Sequence, residues 1–132
     1  MPVEKINRPV KVTNGQEFVV GGWLPGKGRL SDQLGSLLVG YYDDERTLRY
    51  AGRVGSGIND AVRGQLSAAL ADRRRDASPF ERTPKLADPV WVDPVLVVQV
   101  EFAEWTSVGV LRAPRFKGIR VDKDAEEVRR EG

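Results

Sequence analysis

The stretch Ile58-Asn59-Asp60-Ala61-Val62-Arg63-Gly64-Gln65-Leu66-Ser67-Ala68-Ala69-Leu70 decides the fold of this 132-residue chain. Asn59 is a good helix N-cap, and Asp60 beside it suits the positive end of the helix dipole. Ile58, Val62, Leu66 and Leu70 recur every four residues with Ala61 and Ala69 alongside, which makes one apolar stripe. The spacing predicts a single amphipathic helix over about 59–74, ending in the basic run Arg73-Arg74-Arg75.

Outward from that helix the chain reads as strands. Residues 16–23 (Gln-Glu-Phe-Val-Val-Gly-Gly-Trp) form one, with β-branched and aromatic residues between turn signals, and 24–35 is an exposed loop rich in Gly, Pro, Lys and Ser. Leu37–Tyr42 and Leu48–Val54 make a hairpin around Asp43-Asp44-Glu45-Arg46, and Gly55-Ser56-Gly57 breaks it. On the far side, residues 76–89 hold three prolines and read as a long surface connection. Pro94–Trp105 is the clearest strand, with Val95, Val97, Gln99, Glu101 and Ala103 on one face and Leu96, Val98, Val100, Phe102 and Glu104 on the other. Thr106-Ser107-Val108-Gly109 turns it, Val110–Ile119 continues as the last strand or strands, and Asp124–Arg130 suggests a short polar helix. This order predicts a mainly β protein: a five-stranded, partly open Greek-key barrel of the OB type, plugged by the helix between strands three and four. A generic α+β domain and an SH3-like barrel are the alternatives.

Composition excludes several chemistries. The chain has the size of one domain. With no cysteine it has neither disulfides nor thiolate metal sites, and with no histidine it lacks the commonest general base and zinc ligand. A net charge of +2 makes no global case for nucleic acid, so only a local cluster can. No apolar run approaches the roughly 20 residues of a membrane span, and the start lacks a signal-peptide core; a cytosolic protein is expected. A strand-like segment close behind Met1 suggests a piece of something longer.

That local cluster is Ala113-Pro114-Arg115-Phe116-Lys117-Gly118-Ile119-Arg120-Val121-Asp122-Lys123, with four cations and one carboxylate in eleven residues. Arg115 and Lys117 alternate and should share a face opposite Phe116, either tracking a nucleic-acid backbone or keeping an edge strand soluble. Lys27 and Arg29, on a Gly-rich loop, have the reach to touch phosphates, although Gly26-Lys27-Gly28 is too short for a Walker loop. Trp23, Trp91 and Trp105 are expected to close the barrel rather than serve as base-stacking platforms. Arg73-Arg74-Arg75 reads as a helix-end charge cluster rather than a DNA contact. Glu17, Glu101 and Glu104 have no histidine or paired carboxylate near them in sequence, so a structural role is expected for each.

Five segments taken in order resemble the C-terminal OB domain of bacterial ATP-dependent DNA ligases, closest to the ligase D group of non-homologous end joining. They are Gln16–Trp23, Gly35–Gly40, Tyr50–Gly57, Glu101–Thr106 and Leu111–Lys123, the last ending in the Arg-x-Asp-Lys motif that capping enzymes share. The resemblance implies a lead-in over 1–14, the OB domain over 15–123, and a polar tail or short helix over 124–132. It implies that Arg120 and Lys123 contact the β- and γ-phosphates of ATP and that Asp122 orients them. It also implies that Arg115, Lys117, Lys27, Arg29 and Arg53 contact duplex or nicked DNA. Lys11 falls where the second lysine of the family's Lys-x-Lys motif lies, while Pro9 occupies the first lysine's place. ATP and Mg2+ belong to the full ligase, and the implied partners are DNA and the nucleotidyltransferase domain, not a membrane. No Lys-x-Asp-Gly nucleophile motif occurs, so the chain alone is expected neither to hydrolyse ATP nor to seal DNA, and no metal site is expected in it. An autonomous nucleic-acid-binding OB module is the alternative.

Overall fold

A computed structural model describes residues 14–131. Strand β1 (Asn14–Pro25) organises everything else because it is long enough to serve two neighbours. Its first half pairs with β6 (Val97–Phe102) and its second half with β2 (Leu34–Tyr42). Strand β3 (Leu48–Val54) continues from β2, and β9 (Arg115–Arg120) from β6, all antiparallel. The outer strands meet through a parallel bridge between Ser56 and Arg115, where the Phe116 N–H donates to the Ser56 carbonyl at 2.8 Å. These five strands make the expected barrel, and the narrow seam leaves it partly open.

Helix α1 (Asp60–Leu70) lies between β3 and β6, where the fold requires it. The Asn59 side chain accepts the Val62 N–H at 2.8 Å, the predicted cap. Ile58, Leu66 and Leu70 are buried with Phe18, Val39, Val98 and Phe102, and Val62 packs against them. The helix stops at Leu70, short of the predicted 74. Beyond Leu70 the apolar period has nothing left to bury. Arg74–Arg75 (β4) pairs instead with β5 (Val90–Val92), and the Asp93 N–H donates to the Arg73 carbonyl at 2.7 Å. The basic run is therefore a short edge strand. Arg63, at helical spacing with Leu66 and Leu70, is buried with them: its Nε donates to the Leu34 carbonyl at 2.8 Å and its Nη1 to Asp60 at 2.7 Å.

The long strand expected over 94–105 is shorter at both ends. Val95 is exposed, β6 ends at Phe102, and Ala103 bends the chain. Glu104–Trp105 (β7) then pairs with Leu111–Arg112 (β8). The bend swings Trp105 over the barrel mouth, with its ring 5.9 Å from Phe18, 5.7 Å from Tyr41 and 5.5 Å from Phe102. Barrel closure is its role, as predicted.

A second apolar cluster covers the outer face of the sheet, and its main contributor comes from the supposed surface connection. Phe80 is 5% exposed and lies over two glycines. A Cβ on Gly21 would come within 2.5 Å of its ring, and one on Gly40 within 2.7 Å. Tyr50 and Trp91 meet the ring edge-on at 5.4 and 6.2 Å. Val19, Leu38, Leu48 and Val97 complete this cluster together with Ala125 and Val128 from the tail. The tail makes a one-turn 3-10 helix at Ala125–Glu127 and then runs extended along the barrel mouth. The Tyr42 N–H donates to the Val128 carbonyl at 2.9 Å. Gln16, 3% exposed, donates to the Arg129 carbonyl at 3.1 Å and accepts the Glu131 N–H at 2.9 Å. Arg130 stacks 4.2 Å above the Trp105 ring.

Candidate functional site

The geometry of β9 depends on one irregularity. Gln99 pairs with Gly118 and Val100 with Phe116, so Lys117 is an extra residue bulged out of the ladder. Phe116 is buried and Ile119 packs against the main core, while Arg115 and Lys117 are exposed, as the alternation predicted. Strict alternation from Phe116 would carry Arg120 inward. The bulge shifts the phase by one residue and turns Arg120 to the outer face with Arg115 and Lys117.

There Arg120 meets side chains from two other strands. Its Nη1 donates to Glu17 Oε2 on β1 at 2.5 Å and to Gln99 Oε1 on β6 at 3.4 Å. Its Nε and Nη2 donate to the two Asp122 oxygens at 3.3 and 3.4 Å, a bidentate pairing. Glu17 is the more enclosed carboxylate, 18% exposed against 70% for Asp122. The hydrogen bonds from Arg120, then a backbone hydrogen bond and the arginine's charge, hold the Asp122 carboxyl below the usual carboxylate range. The same pairing, with a smaller contribution from Glu17, raises the Arg120 guanidinium above its ordinary value. Lys123 is half-buried and, among the described residues, has no carboxylate within ion-pair distance. The cluster thus sets one clamped cation beside one that makes no ion pair among the described residues, although its charge also helps to hold the Asp122 carboxyl down.

The other cations fall into separate places. Lys27 and Arg53 line one cleft of about 360 Å³ walled by Gly26, Gly35, Gly55 and Pro114. Arg115, next to Pro114, donates to Ser56 Oγ at 3.1 Å. Lys117 lies 3.9 Å from Glu101, a weak exposed pair. Arg29 turns to Asp60 at 3.6 Å. Lys11 lies outside the described residues. Sequence reasoning missed Glu17 and Gln99 as members of the Arg120 cluster; only the register of three strands brings them together. Among the described residues no group of three or more His, Cys, Asp or Glu is placed to hold a metal ion, and no helix is long and apolar enough to cross a membrane.

Residues 31–123 match the family model of the ATP dependent DNA ligase C terminal region. The multifunctional non-homologous end joining DNA repair protein LigD of Mycobacterium tuberculosis is 40% identical over 121 residues, 89% of this chain but 16% of that protein. The crystal structure of its ligase domain superposes with a TM-score of 0.82 at 40% identity, covering 90% of this chain and 39% of that one. A mycobacterial DNA ligase D complexed with ATP and MES superposes at 0.77 and 38% identity, covering 89% and 38%.

Proposed function

Because this chain belongs to the family of ATP-dependent DNA ligase C-terminal domains and is LigD-like, we propose that it completes a ligase adenylation site with Arg120 and Lys123 and grips duplex DNA with its remaining exposed cations. The observation that carries this reading is the β9 bulge, which turns Arg120 of the Arg-x-Asp-Lys ending to the outer face, where another domain can meet it.

On this reading, ATP and Mg2+ are held by the nucleotidyltransferase domain, which also provides the attacking lysine. The lysine nitrogen bonds to the α-phosphorus of ATP as the bond from that phosphorus to the β-phosphate oxygen breaks, so the adenylyl group passes to the lysine and the β- and γ-phosphates leave as pyrophosphate. Negative charge grows on the departing oxygens, and fixed cations facing them stabilise that charge without reorganising. Lys123 meets it as a compact ammonium, and Arg120 as a planar donor already oriented by Glu17 and Asp122. Lys27, Arg53, Arg115 and Lys117 contact phosphates of a nicked or broken duplex and set position rather than sequence preference. Arg29 joins them, since its exposed pair with Asp60 at 3.6 Å is too weak to hold it back. The ligase works in the bacterial cytosol, joining DNA ends.

The test mixes this domain with its nucleotidyltransferase domain and measures lysine adenylation from ATP separately from sealing of a nick that is already adenylated. Removing one oxyanion-type donor costs about 10²–10³ in rate, so Arg120→Ala and Lys123→Ala should each slow adenylation by roughly that factor. Adenylation at wild-type rate in both variants would take the two residues out of the chemistry.

A further inference from the structure

The Arg120 guanidinium is held from two sides by unlike carboxylates. Asp122, its near neighbour in the chain, is mostly exposed and sits on an unpaired stretch beyond β9. Glu17 and Gln99 come from inside two strands that pair with each other directly, Glu17 opposite Gln99, with β6 flanked by β1 and β9. They approach from the β1 side and engage one nitrogen, Nη1, leaving the Nε–Nη2 edge to Asp122. An arginine on a strand end has several rotatable bonds, and an exposed pair with a flexible partner does little to restrict them. A carboxylate fixed in a sheet does restrict them.

We infer that Glu17, seconded by Gln99, is the positioning residue that aims Arg120 at the polyphosphate, fixing the guanidinium plane before the domains close. The inference deepens the role given to Arg120 above and rests on it. Glu17 touches neither nucleotide nor DNA; it acts through the arginine. This role also accounts for an ionisable side chain in the middle of a strand, since its carboxylate reaches across β6 to a cation on β9.

The experiment compares Glu17→Ala, Glu17→Gln and Arg120→Ala in the ligase that contains this domain. A 1 Å misplacement costs about 10²-fold; an arginine loosened yet still paired to Asp122 should lose less, on the order of 10-fold in adenylation rate at saturating ATP. Glu17→Gln, which keeps an acceptor but not the charge, should fall between. Sealing of a pre-adenylated nick should be unchanged, and Glu17→Ala combined with Arg120→Ala should be no slower than Arg120→Ala alone. In the isolated chain, the side-chain nitrogen resonances of Arg120 should be resolved by slow guanidinium rotation and merge in Glu17→Ala. Equal loss in both reactions with a lowered melting temperature would make Glu17 a packing residue and overturn the inference. So would full adenylation by both Glu17 variants while Arg120→Ala is impaired. Full adenylation by Arg120→Ala would bring down the preceding reading as well.

Discussion

Replacing Phe80 with alanine tests whether the outer cluster stabilises the domain as a core does. Burying a phenylalanine contributes about 1.5–3 kcal/mol, and its edge-on contacts with Tyr50 and Trp91 add about 0.5–1.5 kcal/mol each. The floor beneath the ring is Gly21 and Gly40, which have no side chain to refill the space. Relaxation of the flanking Tyr50 and Trp91 rings and of the loop itself keeps the loss near the lower part of the 3–5 kcal/mol range for Phe→Ala; about 3 kcal/mol is expected. Urea unfolding followed by tryptophan fluorescence measures it, with Trp91 reporting locally. Lys85→Ala, on an exposed part of the same connection, should stay within about 0.5 kcal/mol. A Phe80→Ala loss below about 1 kcal/mol would show that the connection rests loosely on the sheet and would refute the assignment of a second core.

Three further outcomes follow from the geometry. Gly57 has φ +88° and its Cβ would lie 2.5 Å from the Phe116 carbonyl oxygen, so Gly57→Ala should cost about 2–4 kcal/mol from left-handed strain plus a backbone shift and should loosen hydrogen exchange at the Phe116 amide first. The Asp122 carboxyl is depressed by Arg120, so its contribution to stability is present above the ordinary carboxylate value of about 3.9 and is lost as pH falls through the lower folded value. Carbon NMR titration should find it low in the wild type and restored upward in Arg120→Gln. Finally, duplex binding by the isolated chain should weaken linearly in log salt, and Lys27→Ala or Arg53→Ala should each reduce the slope by about 0.9; an unchanged slope would remove that cation from the DNA contact.

Much of this is legible in sequence because it depends on local pattern. The helix cap at Asn59, the stripe through Leu66 and Leu70, and the alternation around Phe116 need only neighbours within a few residues. What depends on contacts far apart in the chain is not. Nothing around Phe80 marks it as buried, because the glycines that receive it are 59 and 40 residues away. Nothing near Arg63 in sequence marks a buried guanidinium, because the Leu34 carbonyl that accepts from it comes from another strand. The basic run at 73–75 matches a helix end by charge preference, but pairing with β5 wins over so weak a bias. Glu17 has no nearby partner in sequence, yet its partner lies 103 residues on.

The extra residue at Lys117 works as a frame shift within a strand. The letters of the motif say nothing about which side of a sheet they will occupy; that is set by how many residues separate them from the last inward anchor, Phe116. Removing one residue between Phe116 and Arg120 should either erase the offset or swing the guanidinium into the hydrocarbon interior. Homologues of this domain should therefore tolerate changes of side chain in that interval far better than changes of length.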